Sequence, residues 1–106
     1  MRGYLPVTVE EIAAFLESQF MECGPLYATT IKFLNANSDM DEEEGEYILS
    51  MLAADEALEM RTKPESAGFI LALEVNDPEI AEHGENFVIL KDLAKWENVQ
   101  CAFMVS

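Results

Sequence analysis

Phe69-Ile70-Leu71-Ala72-Leu73-Glu74-Val75 is an almost unbroken apolar run, stopped by Asn76-Asp77-Pro78. A run this short suits a strand at a sheet centre, covered on both faces, rather than a half-exposed strand with alternating polarity. Working outward, Phe87–Leu90 and Val99–Val105 (VQCAFMV) read as two later strands, and Leu26–Thr30 (LYATT) as an earlier one, rich in β-branched and aromatic residues. Residues 2–7 (RGYLPV) form a short extended segment, in which Pro6 lacks a donor and places the strand at an edge or an end near that residue.

Helical signals fill the gaps. Thr8-Val9-Glu10-Glu11 fits a capping box, and Ile12, Phe15, Leu16 and Phe20 follow at helical spacing. A first helix is expected over about 9–20, closed by Cys23-Gly24-Pro25. Ile31–Leu34 reads as a helical turn and Asn35–Asp39 as a loop. The longest helix is expected over about 40–61. Tyr47, Met51, Ala54 and Leu58, flanked by Ile48, Leu52 and Ala53, are expected to form its broad buried stripe. Gly45 inside it costs about 1 kcal/mol against Ala, which suggests a frayed first turn or a break. Acids at its start and Arg61 and Lys63 at its end suit the helix dipole. Pro64–Gly68 reads as a loop, Glu79–Gly84 as one helical turn and Asp92–Trp96 as a turn.

The order β-α-β-(α)-α-β-β-β predicts an α+β single domain over residues 1–106. The expected architecture is a two-layer sandwich: one mixed sheet of four or five strands with two main helices on one face. A parallel first βαβ step would cross over right-handed. A ferredoxin-like arrangement is the nearest alternative and needs one strand fewer.

The 106 residues are half apolar, enough for a core, and carry 21 Asp and Glu against six Lys and Arg, a formal charge of −15. That field disfavours nucleic acid and anionic membrane and favours a basic protein surface or a metal ion. No stretch of about 18 apolar residues occurs, and the start shows no secretory leader. Two cysteines, Cys23 and Cys101, with no CxxC read as free thiols of a cytoplasmic protein.

Ser38–Tyr47 (SDMDEEEGEY) concentrates this charge, with Asp39, Asp41, Glu42, Glu43, Glu44 and Glu46 in ten residues. Asp39, Asp41 and Glu43 begin like a calcium loop, but Gly45 falls one place late and Ser50 stands where a bidentate Glu is needed. The run reads either as a solvated helix start or as a contact for a basic protein. Glu74 is the one acid set in an apolar strand and is expected to face solvent at the strand's end. His83 reads as a surface histidine in a loop-like setting. Tyr4, Tyr27 and Tyr47 read as half-buried core tyrosines, with a shared groove as the alternative. Six methionines read as core filling or a pliable surface. Trp96 is the expected exposed aromatic anchor. Phosphate loops, nucleophile motifs and basic-aromatic patches are absent from the sequence.

Met1-Arg2-x-Tyr4-Leu5-Pro6-x-Thr8, Tyr27-Ala28-Thr29-Thr30, Glu43-Glu44-Gly45-Glu46-Tyr47, Ala53-Ala54-x-x-Ala57-Leu58 and the late strand pair together resemble an actinobacterial family of uncharacterised proteins, DUF6912. The resemblance covers most of the chain, and none of its motifs is catalytic in type. It implies members that continue past the last strand with another acidic segment, so this chain is expected to be a short member or a fragment. It carries no activity.

The expected function is therefore a cytoplasmic, non-enzymatic protein-interaction or regulatory module, with no catalytic residue, cofactor or metal. Its contact would use Asp41, Glu42, Glu43, Glu44, Glu46, Tyr47 and Trp96 toward a basic protein partner. No direct nucleic-acid or membrane binding is expected, and the apolar last strand offers a homodimer edge. One rival is a nucleic-acid mimic that occupies a DNA-binding protein, which requires acids spaced like phosphates. The other is a small enzyme with a carboxylate and tyrosine pocket, which requires a cleft holding Glu74 or Tyr47.

Overall fold

The computed structural model describes residues 1–61, 63 and 65–105; Thr62, Pro64 and Ser106 lie outside the described residues, and with them part of the expected 64–68 loop. Along the chain run β1 (Arg2–Val7), α1 (Val9–Ser18), β2 (Phe20–Met21), β3 (Leu26–Ala28), α2 (Ile31–Ala36) and α3 (Glu42–Met60). There follow β4 (Gly68–Glu74), a 3-10 turn (Asp77–Glu79), β5 (Ile80–His83), β6 (Phe87–Leu90), β7 (Ala94–Lys95), a second 3-10 turn (Trp96–Asn98) and β8 (Val99–Val105).

The chain is α+β, but its sheet is larger than expected and is not mixed. Six strands lie in the order β5-β6-β3-β1-β4-β8, and β2 and β7 form a separate ribbon. Every described pairing is antiparallel. β1 and β3 flank α1 as antiparallel neighbours, so no crossover of a parallel βαβ step arises. The extra strand in the large sheet is β5, read in sequence as a helical turn. Its Ile80-Ala81-Glu82-His83 pairs with β6 instead, after the 3-10 turn around Pro78 has redirected the chain.

The two main helices do not share a face. Leu5, Val7, Leu71, Leu73 and Val75 cluster with Phe15 of α1, whereas Tyr4, Ile70 and Ala72 cluster with Leu49, Ala53 and Ala57 of α3. Alternation along β1 and β4 sends successive side chains to opposite faces. Both faces of β4 are therefore covered, as its apolar run predicted, but by one helix each. This replaces the expected arrangement of two helices on one face.

α1 starts as expected: the Glu11 amide donates to Thr8 Oγ1 at 3.2 Å and the Thr8 amide to Glu11 Oε1 at 2.9 Å. It stops earlier than expected, because Gln19 takes a left-handed conformation (φ 69°) and its N–H closes on the Phe15 carbonyl. That leaves Phe20 in a strand and exposed, and Leu16 exposed, so Phe15 alone carries the full burial of the helix.

α3 buries only part of the stripe expected: Ala53 is fully buried and Ala54 packs on the core, but Tyr47, Ile48, Met51 and Leu52 are exposed. Gly45, Leu49, Ala53 and Ala57, four apart, face the sheet, while Tyr47, Ile48, Met51 and Leu52 face out. Small residues let the helix lie close: a Cβ built on Gly45 would meet Phe33 Cε1 at 2.9 Å, and one on Gly68 would meet the Ala57 carbonyl at 2.8 Å. Gly45 marks close packing within a continuous helix rather than a fray or a break.

Candidate functional site

Three surfaces hold chemistry, and the first is the acidic start of α3. Asp41 is its N-cap, with Oδ1 accepting from the Glu44 amide at 2.8 Å. Glu42, Glu43 and Glu44 fill the first turn and are exposed, where the positive end of the helix dipole favours them by about 0.3–1 kcal/mol each. Glu46 is half-buried on another side, and its charge reaches Tyr4 and Arg2. Burial pushes the Tyr4 phenol upward, the Arg2 guanidinium beside it works the other way, and Glu46 adds to the rise. Among the described residues no three His, Cys, Asp or Glu are arranged to hold a metal ion.

The second surface is the outer face of α3. Tyr47 is 66% exposed and Met51 51% exposed, with Ile48 and Leu52 beside them. Residues three and four apart are neighbours on a helix, so these four make one apolar patch. Glu43 and Glu44 border it one turn before, and Asp55 one turn after. Helices on a sheet normally bury their most apolar face, so an outward patch of this kind is an informative exception. Trp96 does not join it. Its ring is half-buried and packs edge-to-face on Phe15 at 5.2 Å, on the opposite side of the sheet from α3, so it is not the exposed anchor expected.

The third is a cleft of about 530 Å³ between β1 and β3. Met1 and Val75 exchange both backbone bonds, each at 2.8 Å, so the odd-numbered residues of β1 bond to β4 and the even-numbered ones turn toward β3. On the β3 side Tyr4 pairs with Tyr27, and the next turned position would set Pro6 opposite Pro25. Neither proline has an N–H to give, and the ladder stops there. Pro6 implies an edge or an end near that residue; β1 is central, and Pro6 lies just where its β3 partner has ended, which satisfies the same donor constraint.

Glu11, Glu22 and Glu56 reach this cleft, with no Lys, Arg or His among its described lining residues, and Tyr27 and Cys23 add a phenol and a thiol. Burial raises the Cys23 thiol. The Tyr27 phenol is raised by burial first, then by the charges of Glu56 and Glu59. Sequence reading missed the cleft, whose one linear signal is the pair of prolines at facing positions. The residues required for the expected enzyme pocket are elsewhere. Glu74 is half-exposed at the end of β4, 3.4 Å from the Met1 amino group and from Gln100 Nε2, and Tyr47 faces outward. Of the tyrosines, Tyr4 is buried in the core and Tyr27 half-buried beside it, so the three line no common groove. His83 is exposed, on an edge strand rather than in a loop.

No described helix is long and apolar enough to cross a membrane. No curated protein and no solved structure matches the chain. A match over residues 1–105, spanning both faces of the sheet and all three surfaces, does exist, and by it the chain belongs to the Family of unknown function (DUF6912).

Proposed function

We propose that the protein is a non-enzymatic interaction module of the actinobacterial cytosol that docks a protein partner on the outer face of α3. The observation that carries this reading is the apolar patch of Tyr47, Ile48, Met51 and Leu52 on a helix whose other side is already packed. The acids at both ends of the patch set the partner's chemistry: an apolar centre rimmed by Lys or Arg, drawn in by the −15 charge. Asp41, Glu42, Glu43, Glu44 and Glu46 then steer the encounter, while Tyr47 and Met51 supply its centre. Trp96 contributes through Phe15, by holding α1 in place.

A photo-crosslinker at Met51, compared with one at exposed Ala13 on α1, tests the proposal in lysate of the source organism. The expected result is a basic protein captured at Met51 alone, which then binds the purified chain and loses at least about tenfold in affinity on Tyr47→Ala plus Met51→Ala. Equal capture at both positions, or unchanged affinity of the double variant, would overturn it.

A second reading draws on the cleft. Three carboxylates facing aromatic and thioether walls, with no countercharge, favour a small organic cation. Saturable binding of spermidine that is lost in Glu56→Gln plus Tyr27→Ala, and kept in Glu42→Gln plus Glu43→Gln, would support a ligand pocket over diffuse attraction.

A further inference from the structure

β8 is an edge strand with little of the usual protection. Native edges are blunted by charge, proline, shortness or a bulge. The opposite edge, β5, has these devices: four residues, Glu82 and His83 along it, and a register break between Ile80 and Glu82. β8 is seven residues long and carries no charge and no proline, in a chain one quarter charged. Its single irregularity is at one end: Ala72 pairs with Cys101 but Leu73 with Val99, so Gln100 is the extra residue and Cys101–Val105 runs straight.

The ladder fixes which groups of this straight segment are free. The odd-numbered residues of β4 bond to β1, so Gly68, Ile70 and Ala72 turn to β8 and bond to Val105, Phe103 and Cys101. Ala102 and Met104 therefore turn their N–H and C=O groups away from the sheet. Phe103 shares the face of Ile70, that of α3, and stays 45% exposed.

From this we infer that β8 pairs antiparallel with β8 of a second copy, about a two-fold axis through Phe103. Ala102 of each copy exchanges both backbone bonds with Met104 of the other, and Phe103 faces its own symmetry mate. All the free groups of the straight segment are then satisfied, and the Gln100 bulge lies outside the pairing. Two like-charged copies can approach here because the contact strand itself is uncharged. The β8 edge is separate from the outer face of α3, and the two contacts have opposite salt signs. Screening weakens attraction to a basic partner and strengthens association of two copies at −15 each.

Sedimentation of the whole chain over a concentration series, at low and moderate salt, gives the first test. A reversible dimer that tightens with salt is expected; a monomer throughout, or a dimer that dissociates with salt, overturns the inference. Ala102→Pro removes the outward N–H and leaves every bond to β4 in place, so it should be monomeric with an unchanged far-ultraviolet spectrum. Met104→Lys, which adds a charge at the exposed edge, serves the same purpose should the proline variant fail to fold. A dimer surviving in the folded variant would overturn the edge contact. Register is read by disulfide trapping in a Cys23→Ser, Cys101→Ser background. Phe103→Cys faces itself in a non-bonded pair at about 4.5 Å between Cα atoms and should cross-link, whereas Met104→Cys faces Ala102 and should not. Equal cross-linking of the two overturns the register.

Discussion

Gly68→Ala should destabilise the protein, and Gly24→Ala should not, although the chemical change is the same. At Gly68 the added Cβ would stand 2.8 Å from the carbonyl carbon and oxygen of Ala57 and 3.0 Å from its Cβ. The first two contacts are backbone, so relief requires α3 to lift from β4 rather than a side chain to rotate. Overpacking of a tight core costs about 1–3 kcal/mol, and a backbone obstacle belongs at the upper end. Against this stands about 0.4–1 kcal/mol gained by restricting the unfolded chain. The net expectation is a loss of about 2 kcal/mol, or roughly 8–16 °C in Tm for a domain of this size. At Gly24 nothing lies within 4 Å of the added Cβ and φ is not positive, so only the unfolded-state gain remains. Gly45→Ala falls between them. It gains about 1 kcal/mol of helix propensity, and its obstacle is the mobile end of the Phe33 ring at 2.9 Å with Thr29 Cγ2 at 3.2 Å. Urea unfolding followed by circular dichroism gives the order, provided the slope is unchanged between variants. Gly68→Ala as stable as Gly24→Ala would refute the close seating of α3 on β4.

Thr30 is fully buried, donates to the Glu85 carbonyl at 2.8 Å and accepts from the Phe33 amide at 3.1 Å, so Thr30→Val should cost about 1–3 kcal/mol in the same urea assay by leaving both unpaired. Thr8→Ala breaks the capping box and should cost about 1 kcal/mol, with a lower urea midpoint and an unchanged slope. The Cys23 thiol and the Tyr4 and Tyr27 phenols are all raised, chiefly by burial, so the folded state holds protons that the unfolded state releases first. The contribution of these three groups to stability is thus constant below the ordinary thiol range and is lost as pH rises through it into the phenol range. Glu56→Gln plus Glu59→Gln should bring the Tyr27 phenol partly back, read by ultraviolet titration in a Tyr4→Phe, Tyr47→Phe background.

The elements legible in sequence are those whose signal is local. β1, β6 and β8 coincide with the strands read from composition, β4 begins one residue early, and the Thr8–Glu11 box starts α1 where expected. What sequence concealed depends on partners far away in the chain. Tyr47, Ile48, Met51 and Leu52 are larger apolar side chains than Gly45 and Ala57, so side-chain size drew the expected stripe outward from the one that is buried, with Ala53 common to both. The seat is decided instead by closeness, which small residues permit. β2 and β7 are two residues each and exist only through one another. Trp96 looked exposed because its sequence neighbours are charged, and only the fold brings Phe15 beneath it. The cleft is a meeting of two prolines whose alignment needs the β1–β3 register.

β1 finds six partners in β4 and only two in β3, and those six lie roughly sixty to seventy residues further along the chain. During synthesis the first strand therefore waits, nearly alone, until most of the chain has been made. β4 is also the strand on which β8 closes, so the first and the last of the described strands are ordered by one and the same element. Such non-local pairing slows folding, because the loop must close before any contact rewards it. A truncation that stops after α3 leaves that helix with only the short β1–β3 ladder to sit on, without β4. The expected behaviour is all-or-none: one unfolding transition, late nucleation around β4, and no stable half.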